Sequence, residues 1–195
     1  MSEIDIQSGD LILSSGSQYS QVRIQKFLDS QWNGVSIVVP WANSDQLVLL
    51  ESTQIPICED LVSGKMLSGV QVIDLQQKLD RYPGKLTHRS LFPPLDRDRI
   101  SLLAQFVKLT WGASFNDSPY YLARAFYRRN SQISTNTFFC AELVATAYQK
   151  LGIFRLPPFG RNANNYIPGD FAEEKESLDL DQRYLFKQQQ SVKNV

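Results

Sequence analysis

The chain has 195 residues, 43% of them hydrophobic, and its twenty basic and twenty acidic side chains cancel. That length and apolar content suit a single domain with a sizeable core, and the absence of net charge excludes the electrostatic footprint of a nucleic-acid binder or an acidic-lipid patch. No apolar run approaches the ~18 residues of a transmembrane segment.

Two further exclusions follow from residue types. The stretch MSEIDIQSGD has neither a basic n-region nor an apolar h-region, so the expected location is cytoplasmic, with Cys58 and Cys140 as reduced thiols. One histidine, no CxxC and no HExxH supply a metal site poorly, and neither metal nor cofactor is expected.

In chain order, DLIL at 10–13 reads as a first strand behind Gly9. QYSQVRIQKFLDSQW spaces Val22, Ile24, Phe27 and Leu28 as one helical face, with Arg23 and Lys26 on a solvated side. NGVSIVVPW alternates Val35, Ile37 and Val39 and stops at Pro40, and LVLLES follows, so a hairpin is expected over 34–51. GVQVIDL at 69–75 adds a strand, LQQKLDRY a short helix, and GKLTHRSL at 84–91 a further strand. LDRDRISLLAQFVKLTWG has an acidic first turn and sets Ile100, Leu103, Phe106 and Val107 on one face. PYYLARAFYRRN reads as another helix. FCAELVATAYQKLG aligns Cys140, Val144, Ala147 and Leu151 in a stripe ending at the C-cap Gly152. The tail carries a strand-like RYLF before QQQSVKNV, which is expected to fray. Consecutive strands without regular helical crossovers argue for an α+β fold, mostly antiparallel, with helices segregated from the sheet.

The chemistry centres on TFFCAELVATAYQKLG. With Thr137 as N-cap, Cys140 falls in the first helical turn, where unpaired N–H groups and the positive dipole end stabilise a thiolate and can later hold an oxyanion. The bland alternative is a core cysteine beside Phe138, Phe139 and Leu143. Glu51, ending an apolar strand next to Ser52 and Thr53, reads on its own as the polar edge of a loop. Trp32, Trp41, Trp111 and the pair Tyr120–Tyr121 read as core or as groove lining, and Cys58 as inert.

GDLIL, the strand in WNGVSIVV, LVLLES, and FFCAELVATAYQKLG followed by NNYIPGDF resemble, in that order, the permuted papain-like cysteine peptidases of the NlpC superfamily. The likeness is nearest to the YaeF/YiiX-like amidase branch and covers roughly residues 9 to 172. It implies a circularly permuted papain-like fold, an antiparallel sheet of about five or six strands packed on helices. One domain would span 1–172, with a polar segment over 173–195.

Residue by residue, the resemblance implies Cys140 as nucleophile and Glu51 as orienter of the base. It puts the family's base histidine at Gly34: relatives read something like WSHVGIVV where this chain reads WNGVSIVV. The matching segment Asn164–Asn165–Tyr166 would rim the cleft. The implied function is that of a cysteine amidase, peptidase or acyltransferase acting through a Cys140 thioester on a peptide, amide or lipid-acyl substrate, impaired by the missing base. The alternative is a catalytically inactive pseudoenzyme that binds an acyl or peptide ligand, or a protein partner, in the same cleft. His88 is the one imidazole available as a substitute base, with a surface or edge position as its bland reading. Asn33-Gly34 is also a turn-prone pair, which offers a conformational reason for the glycine.

Overall fold

Alternating apolar residues build the centre of the molecule. The computed structural model describes residues 5–16, 30–41, 46–116, 136–172 and 178–193. The helix expected from 18 lies almost entirely outside these residues, and so does the one expected over 119–130. Six strands form one sheet: β1 (Leu11–Gly16), β2 (Gly34–Pro40), β3 (Leu47–Thr53), β4 (Gly69–Asp74), β5 (Gly84–Arg89) and β10 (Gln190–Lys193). Their spatial order is β10-β5-β1-β2-β3-β4, and every neighbouring pair is antiparallel.

Both faces of this sheet are covered, which is why the strands read as near-continuous apolar runs rather than clean alternation. Leu11, Leu13, Val35, Ile37, Val48 and Leu50 join the larger core. That core includes Leu103 and Phe106 of α2 (Arg97–Thr110) and Leu143, Val144 and Ala147 of α3 (Cys140–Lys150). On the opposite face Ile12, Val38, Leu49, Ile73 and Leu86 form a second cluster, and Leu75 and Leu79 of α1 (Leu75–Arg81) pack against it. The helices are therefore not confined to one side. Each fully buried aliphatic side chain contributes ~1.5–3 kcal/mol, so the two clusters carry most of the stability.

The helix termini follow local chemistry. Asp74 caps α1 by accepting from the Gln77 N–H at 2.8 Å, and Asp96 caps α2 by accepting from the Arg99 N–H at 2.8 Å. Leu151 ends α3, and Gly152 beyond it takes φ +68°, the left-handed conformation that favours glycine. The Tyr148 hydroxyl donates to the Gly9 carbonyl at 2.5 Å and so fastens α3 to the approach of β1.

Short strands complete the fold. β6 (Leu91–Phe92) pairs with β9 (Leu185–Phe186), the strand expected in RYLF. β7 (Ser114–Phe115) runs parallel to β8 (Thr137–Phe138). The segment expected to fray instead supplies β10, which adds to β5 through Gln190↔His88 and Ser191↔Thr87. Backbone pairing to an open sheet edge needs no apolar pattern, so a polar strand forms there.

Candidate functional site around Cys140

The start of α3 is set by strand pairing rather than by a side-chain cap. Thr137, expected as N-cap, lies in β8, and Phe139 occupies the cap position without a side-chain cap hydrogen bond. The reason is that the Phe138 carbonyl is held in the sheet layer by the Ser52 hydroxyl at 2.7 Å and the Asn116 N–H at 3.2 Å. These bonds keep the chain extended through 138. Glu142, one turn in, accepts from the Phe139 N–H at 3.4 Å. Cys140 is thus the first residue of α3, as its spacing suggested, and only 5% exposed.

A cleft of ≈ 100 Å³ opens at this cysteine, and Cys140, Gly34 and Glu51 all line it. Ser14, Ser36, Lys78 and Tyr82 add polar groups, and Val35, Ile55, Ile57 and Phe115 add apolar walls. The three positions singled out from sequence therefore meet at one place.

The thiol is not activated. Burial pushes Cys140 up to about 12, further helped by the Glu51 charge, and the opposing N–H groups of Val35 and Ala141 do not compensate. The helix start was expected to stabilise a thiolate; against it stands burial, which costs the charged sulfur more than the nearby amides return.

Gly34 opens β2 opposite Ser14 of β1. Its φ lies outside the left-handed region, so no turn requires glycine there. A Cβ at this position would instead collide with the Ser14 hydroxyl. The space that a side chain at 34 would enter is thus lined by Ser14, and Tyr82, whose hydroxyl donates to Asn33 at 3.4 Å, lines the same cleft. Burial raises the Tyr82 phenol to about 12, with Glu51 and Cys140 adding to the effect and a Ser14 hydrogen bond opposing it.

Glu51 is no loop edge. It is 4% exposed and fully bonded: Oε2 accepts from the Ser36 hydroxyl at 3.1 Å and from Lys78 Nζ at 2.8 Å, and Oε1 accepts from Gln71 Nε2 at 2.9 Å. Burial on its own would raise its pKa, but the Lys78 ammonium together with the three hydrogen bonds holds the carboxyl below the usual range. Its partner is an ammonium, where the resemblance implied an imidazole.

His88, the chain's one histidine, does not line the cleft. It is 2% exposed, neither surface nor edge, and its Nε2 lies 2.7 Å from Asp10 Oδ2. Asp10 also accepts from the Leu91 N–H at 2.9 Å and the Gln7 N–H at 3.0 Å, so the pair locks the start of β1 to β5 and the chain that follows it. Cys58 sits in the second core cluster, its thiol raised by burial. Trp32 is core, Trp41 packs against it, and Trp111 donates to Asp60 at 3.2 Å; none lines the cleft. Tyr120 and Tyr121 lie outside the described residues. Asn164, Asn165 and Tyr166 are buried against α3 and do not rim the cleft.

Sequence reasoning missed Lys78, Tyr82, Ser36 and Gln71. Only Ser36 and Gln71 carried a signal, as polar residues inside apolar strands. Among the described residues no group of three or more His, Cys, Asp or Glu side chains converges to hold a metal ion, and no helix is long and apolar enough to cross a membrane.

No known family profile matches the chain, and no curated protein does. Among solved structures the chain is similar to the metalloprotein YiiX of Escherichia coli O157:H7, a DUF1105 protein. The two share 20% identity with a TM-score of 0.53, over 74% of this chain and 66% of that one, just under two thirds of its length. The likeness extends to the fold.

Proposed function

We propose that this chain is a base-less member of the permuted papain-like cysteine hydrolase class, whose Cys140 cleft binds an amide- or acyl-bearing ligand without turning it over. The observation that carries the reading is the cleft itself: Cys140, Gly34 and Glu51 line it together and no imidazole does. Glu51 is committed to Lys78, so it has no imidazole to orient. With the thiol at about 12, the thiolate fraction at pH 7 is on the order of 10⁻⁵. A positioned base normally contributes ~10²–10⁴-fold, and among the described residues no imidazole lines the cleft to supply it.

A second reading, a slow amidase, peptidase or acyltransferase, draws on the N–H groups of Val35 and Ala141 at the sulfur. In it the sulfur bonds to the acyl carbon, the bond to the leaving group breaks, and the thiol proton passes to the leaving group through water.

Incubation with a short-chain acyl thioester, followed by intact-protein mass measurement, separates the two. The binding reading expects no acyl adduct on Cys140 and no product above the uncatalysed rate. Turnover that disappears in Cys140→Ala would replace it with the second reading.

A further inference from the structure

We infer that Lys78 is a ligand-binding residue of the cleft, its ammonium receiving the neutral carbonyl oxygen of an amide or ester. The inference rests on the cleft being a ligand site, as proposed above, and names what enters it.

Lysine is almost never buried unless paired, yet Lys78 is 5% exposed in the middle of α1. Its ammonium carries three N–H donors. Among the described residues Glu51 Oε2, at 2.8 Å, is its one hydrogen-bond acceptor. The Tyr82 ring, 5.0 Å away, gives a cation–π contact but takes no N–H at that range. Two donors are left over on a side chain only 7% exposed, and buried donors find acceptors. Lys78 lines the Cys140 cleft, so the acceptor comes from what fills the cleft.

Glu51 makes no such demand. Both its oxygens are occupied, by Ser36, Lys78 and Gln71. Of this pair, the open valence belongs to Lys78.

Charge selects the acceptor. Glu51 already neutralises Lys78, so a carboxylate or phosphate would bring a second anion against a buried one. A carbonyl oxygen has two lone pairs and no charge, and it can take a free donor without adding an anion. The remaining walls agree: Val35, Ile57 and Phe115 are apolar, and Ile55, 48% exposed, stands at the mouth. A cleft of ≈ 100 Å³ admits a compact acyl or amide unit, with the remainder of the ligand outside.

The test titrates N-methylacetamide, methyl acetate and sodium acetate separately into the ¹⁵N-labelled full chain. The amide and the ester are expected to shift the backbone resonances of Gly34, Val35 and Cys140, and acetate is not. In wild-type protein the Lys78 ¹³Cε resonance is expected to move with the same saturation curve. The double variant Lys78→Met/Glu51→Gln removes both charges together, and its affinity for N-methylacetamide is expected to fall roughly tenfold or more.

Acetate binding as tightly as the amide would overturn the choice of a neutral oxygen. Cleft resonances that move while Lys78 Cε stays still would overturn the role of Lys78 and leave the cleft as a ligand site, even if the double variant does not fold. No response to any of the three compounds would remove the cleft reading and this inference together.

Discussion

Lys78 Nζ and Glu51 Oε2 lie 2.8 Å apart, with both side chains shut away from water. The Glu51 carboxylate on β3 is balanced by an ammonium from the facing helix α1. The pair joins α1 to β3 across the second core cluster and decides the electrostatics of the cleft.

Breaking that pair on one side leaves a buried uncompensated charge, which costs about 3–5 kcal/mol, whereas removing both partners together costs far less. Lys78→Met and Glu51→Gln are each expected to lower the urea midpoint strongly, and the double variant only mildly, so the double-mutant cycle is expected to give a large coupling, roughly 5 kcal/mol or more. The sign with pH follows from the depressed carboxyl: its contribution is present above about 4.5, the ordinary value, and disappears as pH falls through the folded-state value. Acid unfolding of the double variant is therefore expected to be shallower than that of the wild type.

Gly34→His alone is expected to leave the protein inert towards acyl thioesters. The new Cβ meets the Ser14 hydroxyl, and Glu51 remains bonded to Lys78. Adding Ser14→Ala and Lys78→Met opens the space and releases the carboxylate to the introduced imidazole. Hydrolysis by the triple variant is expected to rise by roughly 10² or more over Gly34→His alone. Equal rates in the single and triple variants would detach the cleft from the hydrolase geometry.

Cys140 is expected to react slowly with iodoacetamide at neutral pH, with a rate still climbing beyond pH 10, because burial holds the thiol near 12. The linkage has a definite sign. The unfolded thiol ionises near 9.0 and the folded one near 12, so the proton is bound more tightly in the native state. Stability is full below 9.0 and declines as pH rises through this window, by roughly 1 kcal/mol per pH unit. Cys140→Ala is expected to flatten this alkaline decline, measured as melting temperature against pH. Tyr82, raised from 10.0 to about 12, leaves a residual slope of the same sign in that variant.

His88→Gln is expected to destabilise the chain by about 1–3 kcal/mol, since Asp10 loses one of its three partners in a buried site. The alkylation profile of Cys140 is expected to stay unchanged, because His88 does not line the cleft. A changed profile would tie the one histidine to the cysteine after all.

The β2–β3 hairpin was legible because Val35, Ile37 and Val39 alternate into one core and the neighbouring strand repeats the pattern. The α3 stripe was legible for the same reason: Cys140, Val144, Ala147 and Leu151 all face that core. Lys78 was not, since LQQKLDRY has the polar look of a solvated helix and only the arrival of α1 over β3 buries its fourth residue. The N-cap was misread because Thr137 has the right chemistry, but Ser52, 86 positions before Phe138, holds the Phe138 carbonyl. Local propensity loses to a long-range bond there. Gln190–Lys193 was illegible because it pairs with β5 through the backbone and carries a single apolar side chain, Val192, against the second core cluster.

That last strand has a consequence for how the molecule is made. β5 presents one row of N–H and C=O groups to β1, and the other row faces β10, which follows every cleft residue in the chain. Until residues 190–193 emerge from the ribosome, every cleft residue is already available but the sheet has a bare flank, the template on which strands of other chains add. The C-terminal segment thus acts as a closing seam, and chains stopped short of it are expected to assemble the cleft and then associate with one another.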